Sequence, residues 1–204
     1  MFNDYKKILK VKILCLILLL SGISLSAQTI ALPPGDGTPG NPFRIATLEH
    51  LQWMAITPSS WNHHFEQVND IDASDTKNWN NGEGWIPIGW EVPFTGSYNG
   101  KGHAIQHLYL NKNEFGSHIG FFAHIEGANL SNMNLVKIKL EAYSKDRQFN
   151  MAGLVGNAVN ATIKNCYVSG TLHNNGGFNK VDKLIGQNDG GTVSGCSTDL
   201  EIIN

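Results

Sequence analysis

The feature that most constrains this chain is an internal repeat in which two short patterns recur together. One is a glycine-flanked apolar pair, seen as Gly120-Phe121-Phe122-Ala123, Gly153-Leu154-Val155-Gly156 and Lys183-Leu184-Ile185-Gly186. The other is a run with apolar residues at its second, fifth and seventh places. It appears as Ala104 to Leu110, Asn129 to Leu135, Thr162 to Val168 and, more weakly, Thr192 to Thr198. The pair advances by 33 and then 30 residues, and the anchors Leu130, Ile163 and Val193 advance by the same amounts. Because the offset between the patterns survives unequal spacers, both belong to one unit.

A unit of about 30 residues, with short strands, Gly/Asn-rich turns and no helical stretch, predicts one coil of a β-solenoid. A single coil cannot bury its apolar face. Stacked coils can, with strands in parallel at about 4.8 Å and like residues above like. This predicts one inward column of Leu108, Met133, Cys166 and Cys196 and another of Leu110, Leu135, Val168 and Thr198. Tyr109, Asn134, Tyr167 and Ser197 then alternate outward. Cys166 and Cys196 fall on one column within disulfide range, but stacked parallel side chains seldom reach the required dihedral, so two reduced core thiols are expected.

The N-terminus has the pattern of an export signal. Lys6, Lys7, Lys10 and Lys12 precede an apolar run from Ile13 to Leu20, followed by small residues up to Ala27. The run is too short to span a bilayer comfortably, so cleavage before Gln28 and a secreted or cell-surface location are expected, with no integral membrane span remaining. Removing residues 1–27 deletes four lysines and Asp4 from 15 basic and 17 acidic side chains, leaving 11 against 16 and a net charge near −5. Such a surface does not attract nucleic acid.

The expected organisation is a signal peptide (1–27), a turn-rich lead-in (28–46), an N-terminal cap and first coil (47–103) and the repeats (104–204). The lead-in's Pro33 to Pro42 segment is too rich in Pro and Gly for helix or central strand. One helix is predicted after it, with Thr47 as N-cap, Leu48, Leu51, Trp53, Met54 and Ala55 as its apolar face, and Pro58 as its stop. A solenoid needs such a plug over its first coil. The Asn99-Gly100-Lys101-Gly102 stretch predicts a tight turn with positive φ.

The glycine-flanked pairs resemble those of secreted bacterial proteins carrying the GLUG motif. So do Pro42-Phe43-Arg44-Ile45, Asn69-Asp70-Ile71-Asp72, Trp85-Ile86-Pro87-Ile88-Gly89 and Phe94 to His103. The likeness runs from about Gly35 to Thr198; Gly153-Leu154-Val155-Gly156 fits best, and Ala123 and Lys183 depart from the pattern. The resemblance implies an all-β, right-handed parallel β-helix-like solenoid on exported, often surface-displayed proteins, some appended to peptidases or adhesins. It implies no catalytic residues.

Candidate chemistry is sparse. The run Asp70 to Asp75 is spaced loosely like a calcium loop, but Asp75 and Asn81 stand where glycine and glutamate are needed, so these side chains are read as caps of turn amides. The stacked copies place no two carboxylates outward on neighbouring coils, and no Ser/His/Asp set can be assembled. His103 and His107, four apart on a strand, lie about 13 Å apart and cannot share an ion, so no metal or other cofactor is expected. Trp79, Trp85 and Trp90 lie in a Gly/Asn-rich segment where an indole could stack on a sugar ring. Trp79 and Trp90 are expected to be the exposed ones, with Trp85 next to Ile86 as a seal.

The reading is an exported binding or adhesion module, with a glycan or surface protein as partner. The alternatives are a polysaccharide lyase or hydrolase on the same scaffold, or a structural module of a larger adhesin or peptidase. The run from Thr198 to Ile203 has no cap, so the final coil is expected to present an edge for self-association or for a longer chain.

Overall fold

The computed structural model describes residues 29–113, 116–145 and 148–204; the expected leader with its Cys15, and Asp146, lie outside the described residues. Strand β1 (Phe43–Ile45) leads into helix α1 (Leu48–Ala55), after which the chain winds through short strands. These are β2 (His64–Gln67), β3 (Ile71–Asp72), β4 (Ser97–Asn99), β5 (Ala104–Gln106), β6 (Tyr109–Asn113), β7 (Phe122–Glu126), β8 (Asn129–Ser131) and β9 (Asn134–Tyr143). Then follow β10 (Asn150–Ala152), β11 (Val155–Val159), β12 (Thr162–Lys164), β13 (Tyr167–Asn174), β14 (Lys180–Asp182), β15 (Ile185–Asp189), β16 (Thr192–Ser194) and β17 (Ser197–Ile203).

From β7 onward, strands that follow each other in sequence lie in different walls, so each wall is built from successive coils. One wall runs β1-β2-β4-β8-β12-β16 and another β3-β5-β9-β13-β17, with β6 also on β9. Smaller sheets, β7-β11-β15 and β10-β14, close the coil. The pairing between these strands is parallel, because each coil returns to a wall in the direction of the last. The chain is an all-β solenoid of the β-helix type with one α-helix among the described residues.

In the later coils the stacking matches the repeat. Phe122, Val155 and Ile185 form one column, Leu130, Ile163 and Val193 a second, and Leu135, Val168 and Thr198 a third. The earliest copy does not fit this register. Tyr98, not Ile105, stacks on Leu130; Ile105 stacks on Leu135, and Leu110 on Leu140. Leu108 is fully buried, but its carbonyl accepts from the Lys139 amide, so it does not stand over Met133. Tyr109 likewise faces Lys139 rather than Asn134. The physical reason is that Ser97-Tyr98-Asn99 is a strand of the β2-β4-β8 wall rather than part of a turn, which moves the coil boundary upstream.

A second irregularity is shared by two coils. His107 and Lys137 both have left-handed φ, 59° and 53°, and the register between β9 and β13 slips by one residue between Val168 and Gly170. Lys137 lies in the bulge of β9 against β13, and His107 stands opposite it in the break between β5 and β6, in unbroken register with β9. In the turn at Asn99, positive φ falls on Lys101 and Gly102. Gly100 is required for a different reason: a Cβ there would lie 2.3 Å from the Asn132 carbonyl oxygen of the next coil.

The first coils are filled by a continuous aromatic run. Trp53 packs on Phe43 (5.1 Å between centroids), Phe43 on Phe65 (5.5 Å), Phe65 on Phe94 (6.0 Å) and Phe94 on Phe122 (5.1 Å). Phe121 continues it from Phe122 at 5.1 Å. Helix α1 closes the start of this run. The Thr47 hydroxyl accepts from the His50 amide, Leu51, Met54 and Ala55 are buried, and the Trp61 indole donates to the Met54 carbonyl at 2.7 Å. The opposite end is open. Val193 is 40% exposed and Leu184, Ile185 and Cys196 are only partly buried, since no further coil among the described residues packs on them.

Candidate functional site

The segment that presents Trp79 is held by bonds to the coil beneath it. Thr76, fully buried, donates its hydroxyl to the Ala73 carbonyl at 2.6 Å and accepts from the Tyr109 amide at 2.8 Å. The Trp79 amide donates to Thr76, and the Trp79 carbonyl accepts from both Gly82 and Gly84. Asn80 and Asn81 take left-handed φ of 51° and 57°, and the Asn80 side chain donates to the Gly84 carbonyl at 2.7 Å. Gly84 bridges Leu110, the Asn111 amide donates to Glu83, and Lys112 pairs with the Glu83 carboxylate. Left-handed backbone suits Asn and Gly, and the Asn/Gly-rich sequence of the segment supplies both.

The three tryptophans fall in three environments. Trp85 is fully buried; its ring stacks on Phe121 (5.0 Å, 17°) and its indole donates to the Phe121 carbonyl at 3.1 Å. It fills the core, as the neighbouring isoleucines suggested. Trp79 stacks on Trp85 (6.5 Å, 29°) and is half-buried. The stack Phe121-Trp85-Trp79 therefore runs from the core to the surface. Trp90 is 40% exposed, and its carbonyl accepts from the Ser117 hydroxyl at 3.3 Å.

Beside Trp79 the loop meets the last turn of α1 across a small open cavity of about 20 Å³. Gln52, Ala55, Ile56, Trp79, Asn80, Trp85 and Ile86 line it, whereas Trp90 does not. Gln52 was not singled out in the sequence. The signal was its place in the stripe Leu48-Gln52-Ala55-Ile56, a polar residue on the apolar side of a helix.

Coil stacking also pairs polar residues far apart in sequence. His103 lies 3.2 Å from Asp70 and His107 3.1 Å from Asp72, each through Nδ1. The carboxylates also cap backbone, Asp70 accepting from Ala104 at 2.9 Å and Asp72 from Ser74 at 3.0 Å. The amide bonds first, and the histidines second, hold both carboxyls below the usual range. Asp70 and Asp72 thus take the capping role expected for the Asp70 to Asp75 run. Elsewhere His118 and His124 pack edge to face at 6.0 Å, and His118 accepts from the Asn150 amide at 3.0 Å. Burial pushes the His118 imidazole down to about 4, with His124 adding to it, and burial lowers His124 as well.

Cys166 and Cys196 are free thiols, and the Cys166 amide lies 3.4 Å from Cys196 Sγ. Burial pushes the Cys166 thiol up to about 12. Among the described residues no three His, Cys, Asp or Glu side chains gather as a metal-binding group, and no helix is long and apolar enough to cross a membrane.

Residues 148–172 match the GLUG motif family. Halomucin of Haloquadratum walsbyi is 32% identical over 163 residues, which is 76% of this chain and 2% of that protein. A protein named as a Gly-rich membrane protein, from Evansella cellulosilytica, is 33% identical over 111 residues, 53% of this chain and 12% of that protein. The chain therefore spans a small part of either relative. No solved structure matches significantly. The apolar pair of the matched motif, at Val155, stacks on Phe122 and Ile185 of the neighbouring coils, so this chain carries a GLUG motif within a repeated β-solenoid coil.

Proposed function

We propose that this β-solenoid is an exported, surface-displayed module that acts by binding or adhesion, with a glycan or a surface protein as its ligand. The observation that supports this best is the aromatic stack that ends at Trp79, which sets a half-exposed indole on a rigid coil beside an open cavity. Indoles held flat at a surface suit the C–H faces of sugars and the apolar anchors of proteins alike. Trp90 supplies a second exposed ring on the same stretch of chain. Export is supported by the Lys-rich, apolar start of the sequence, and surface display by the relative named as a membrane protein.

The last coil adds a second contact. The outer edges of β14 to β17 pair with no strand among the described residues, and such edges template further strands. Edge-to-edge association through that coil belongs to the same proposal.

The test is binding of the purified full chain to arrayed glycans and to immobilised surface proteins, with surface labelling of intact cells that express it. Saturable binding by a chain accessible from outside supports the proposal. A folded chain that stays inside the cell and binds neither class contradicts it.

A further inference from the structure

We infer that His118 is an acid-released latch in the wall that continues into β10 and β14. Neutral, its ring completes the pairing of residues 118–119 with β10; charged, it lets that pairing open while the other walls stay closed.

The wall begins one coil before β10, where Ile119 bridges Met151 in parallel. The Ile119 amide donates to the Asn150 carbonyl and the Ala152 amide to the Ile119 carbonyl, both at 2.9 Å. In a regular parallel ladder the rung before these would take the Asn150 amide to the Ser117 carbonyl. That amide donates instead to His118 Nδ1 at 3.0 Å. A side chain thus replaces the backbone as acceptor at the first residue of β10. Asn150 is only 4% exposed, so loss of this acceptor leaves a buried donor unpaired.

The bond fixes the state of the ring. Nδ1 must offer its lone pair, which puts the proton of the neutral imidazole on Nε2. Once Nδ1 is protonated, two N–H groups face each other and the rung is lost. Histidine is the side chain whose ordinary titration makes this change in mild acid.

The closed wall gives the charged ring little room to turn. Beneath it is Gly156, the second glycine of the matched motif, where a Cβ would lie 2.6 Å from His118 Cβ. Phe149 packs edge to face on the ring at 5.5 Å, and His124 does so at 6.0 Å. His124 is no counter-ion: its Nε2 is buried without a hydrogen-bond partner, and a charge there would oppose one on His118. The charged groups on the elements around the pair are Glu126 on β7, Glu91 in the loop from Gly89 to Phe94, and Lys145 on the connection that carries Phe149. Glu126 favours a charged His124, but burial outweighs it. Burial, and then His124, hold His118 down at about 4.

Opening follows pH by linkage. The released ring titrates near 6.5 and the latched ring at about 4, so the latch holds fully above about pH 6.5 and weakens as the pH falls toward about 4. Between about pH 7 and about pH 4.5 the open population rises roughly fifty-fold. Opening uncovers the Asn150 amide, the Phe149 ring and the backbone of Gly156.

The experiment is hydrogen–deuterium exchange of the full chain at these two pH values, corrected for the intrinsic effect of pH on exchange. Peptides over 116–122 and 149–153 report the latch, and peptides over β8 and β12 are the reference. Protection over the first two should fall roughly fifty-fold, while β8 and β12 stay protected. His118→Asn puts an amide oxygen near the place of Nδ1, an acceptor that does not titrate, so this variant should stay protected at both pH values. NMR titration of the parent reads the imidazole without any variant, and His118 should titrate at about 4.

The inference is overturned if the two segments lose no more protection than β8 and β12, or if His118→Asn opens in acid as the parent does. A His118 ring that titrates at its ordinary value in the folded chain would overturn it as well.

Discussion

The side-chain amide of Asn132 donates to Asn99 Oδ1 at 2.9 Å, and that of Asn165 donates to Asn132 Oδ1 at 3.3 Å, tying three coils through one column of asparagines. Asn132 and Asn165 both hold left-handed φ, 52° and 53°, and Gly195 continues the column at 65°. Asparagine is well suited here because its short amide tolerates that backbone and reaches the coils on either side. Asn132→Ala loses both ladder bonds and strains the backbone, an expected cost of roughly 2–3 kcal/mol. Asn132→Gly keeps the backbone relaxed and should cost less. Urea denaturation of the two variants checks the order; equal losses would mean that the ladder rather than the φ angle dominates.

Gly100 and Gly102 sit two residues apart and should respond differently to alanine. At Gly100 a Cβ would lie 2.3 Å from a backbone oxygen of the next coil, whereas at Gly102 nothing lies within 4 Å and only the φ of 84° objects. Gly102→Ala should cost about 1–2 kcal/mol. Gly100→Ala should cost clearly more, because the neighbouring coil must move. Thermal melts of both variants decide this.

The tryptophans should also separate by stability. Trp85→Ala empties a fully buried site and is expected to cost about 3–5 kcal/mol. Trp90→Ala, at an exposed position, should stay within about 1 kcal/mol of the parent, and Trp79→Ala should fall between them. A Trp85 variant as stable as the Trp90 variant would contradict the core stack.

Stability should fall in mild acid. Folded His118 holds its proton less well than an unfolded histidine, its pKa being pushed from 6.5 down to about 4. Its contribution is therefore complete above about pH 6.5 and is lost as the pH drops toward about 4. His124 and His50 are lowered by burial and add to the same slope, although Glu126 favours the charged form of His124 and Glu49 that of His50. The lowered carboxyls of Asp70 and Asp72 act below that window. Urea midpoints across this range should decline, and His118→Phe should flatten the decline; an unchanged slope in that variant would assign it elsewhere.

The two thiols should label in order. Cys166 is buried with its thiol pushed up to about 12, while Cys196 lies on the open last coil. A thiol reagent under native conditions should modify Cys196 first and reach Cys166 only on unfolding. Equal rates would mean that the last coil frays.

The later coils were legible because two patterns advanced together, so Leu130, Ile163 and Val193 could be stacked from spacing alone. The first coil was not. Ala104 to Leu110 imitates the later runs, but the wall position belongs to Tyr98, and the left-handed φ at His107 has no mark in composition. Trp85 was readable from Ile86 and Ile88 beside it. Gln52 was not, since only the folded seam shows that its acceptor is left unpaired. The Asp70 and His103 pair was legible in principle, because 33 residues is the length of a coil. Histidine-to-histidine spacing does not reveal it, because the partner of each imidazole is a carboxylate one coil before.

The most direct measurement compares binding of the parent, Trp79→Ala and Trp90→Ala to one glycan array at matched concentration, each confirmed folded by circular dichroism. Loss of a specific signal in Trp79→Ala, with a smaller change in Trp90→Ala, is the predicted result. Specific binding that persists unchanged in Trp79→Ala would contradict the placement of the site at the cap seam.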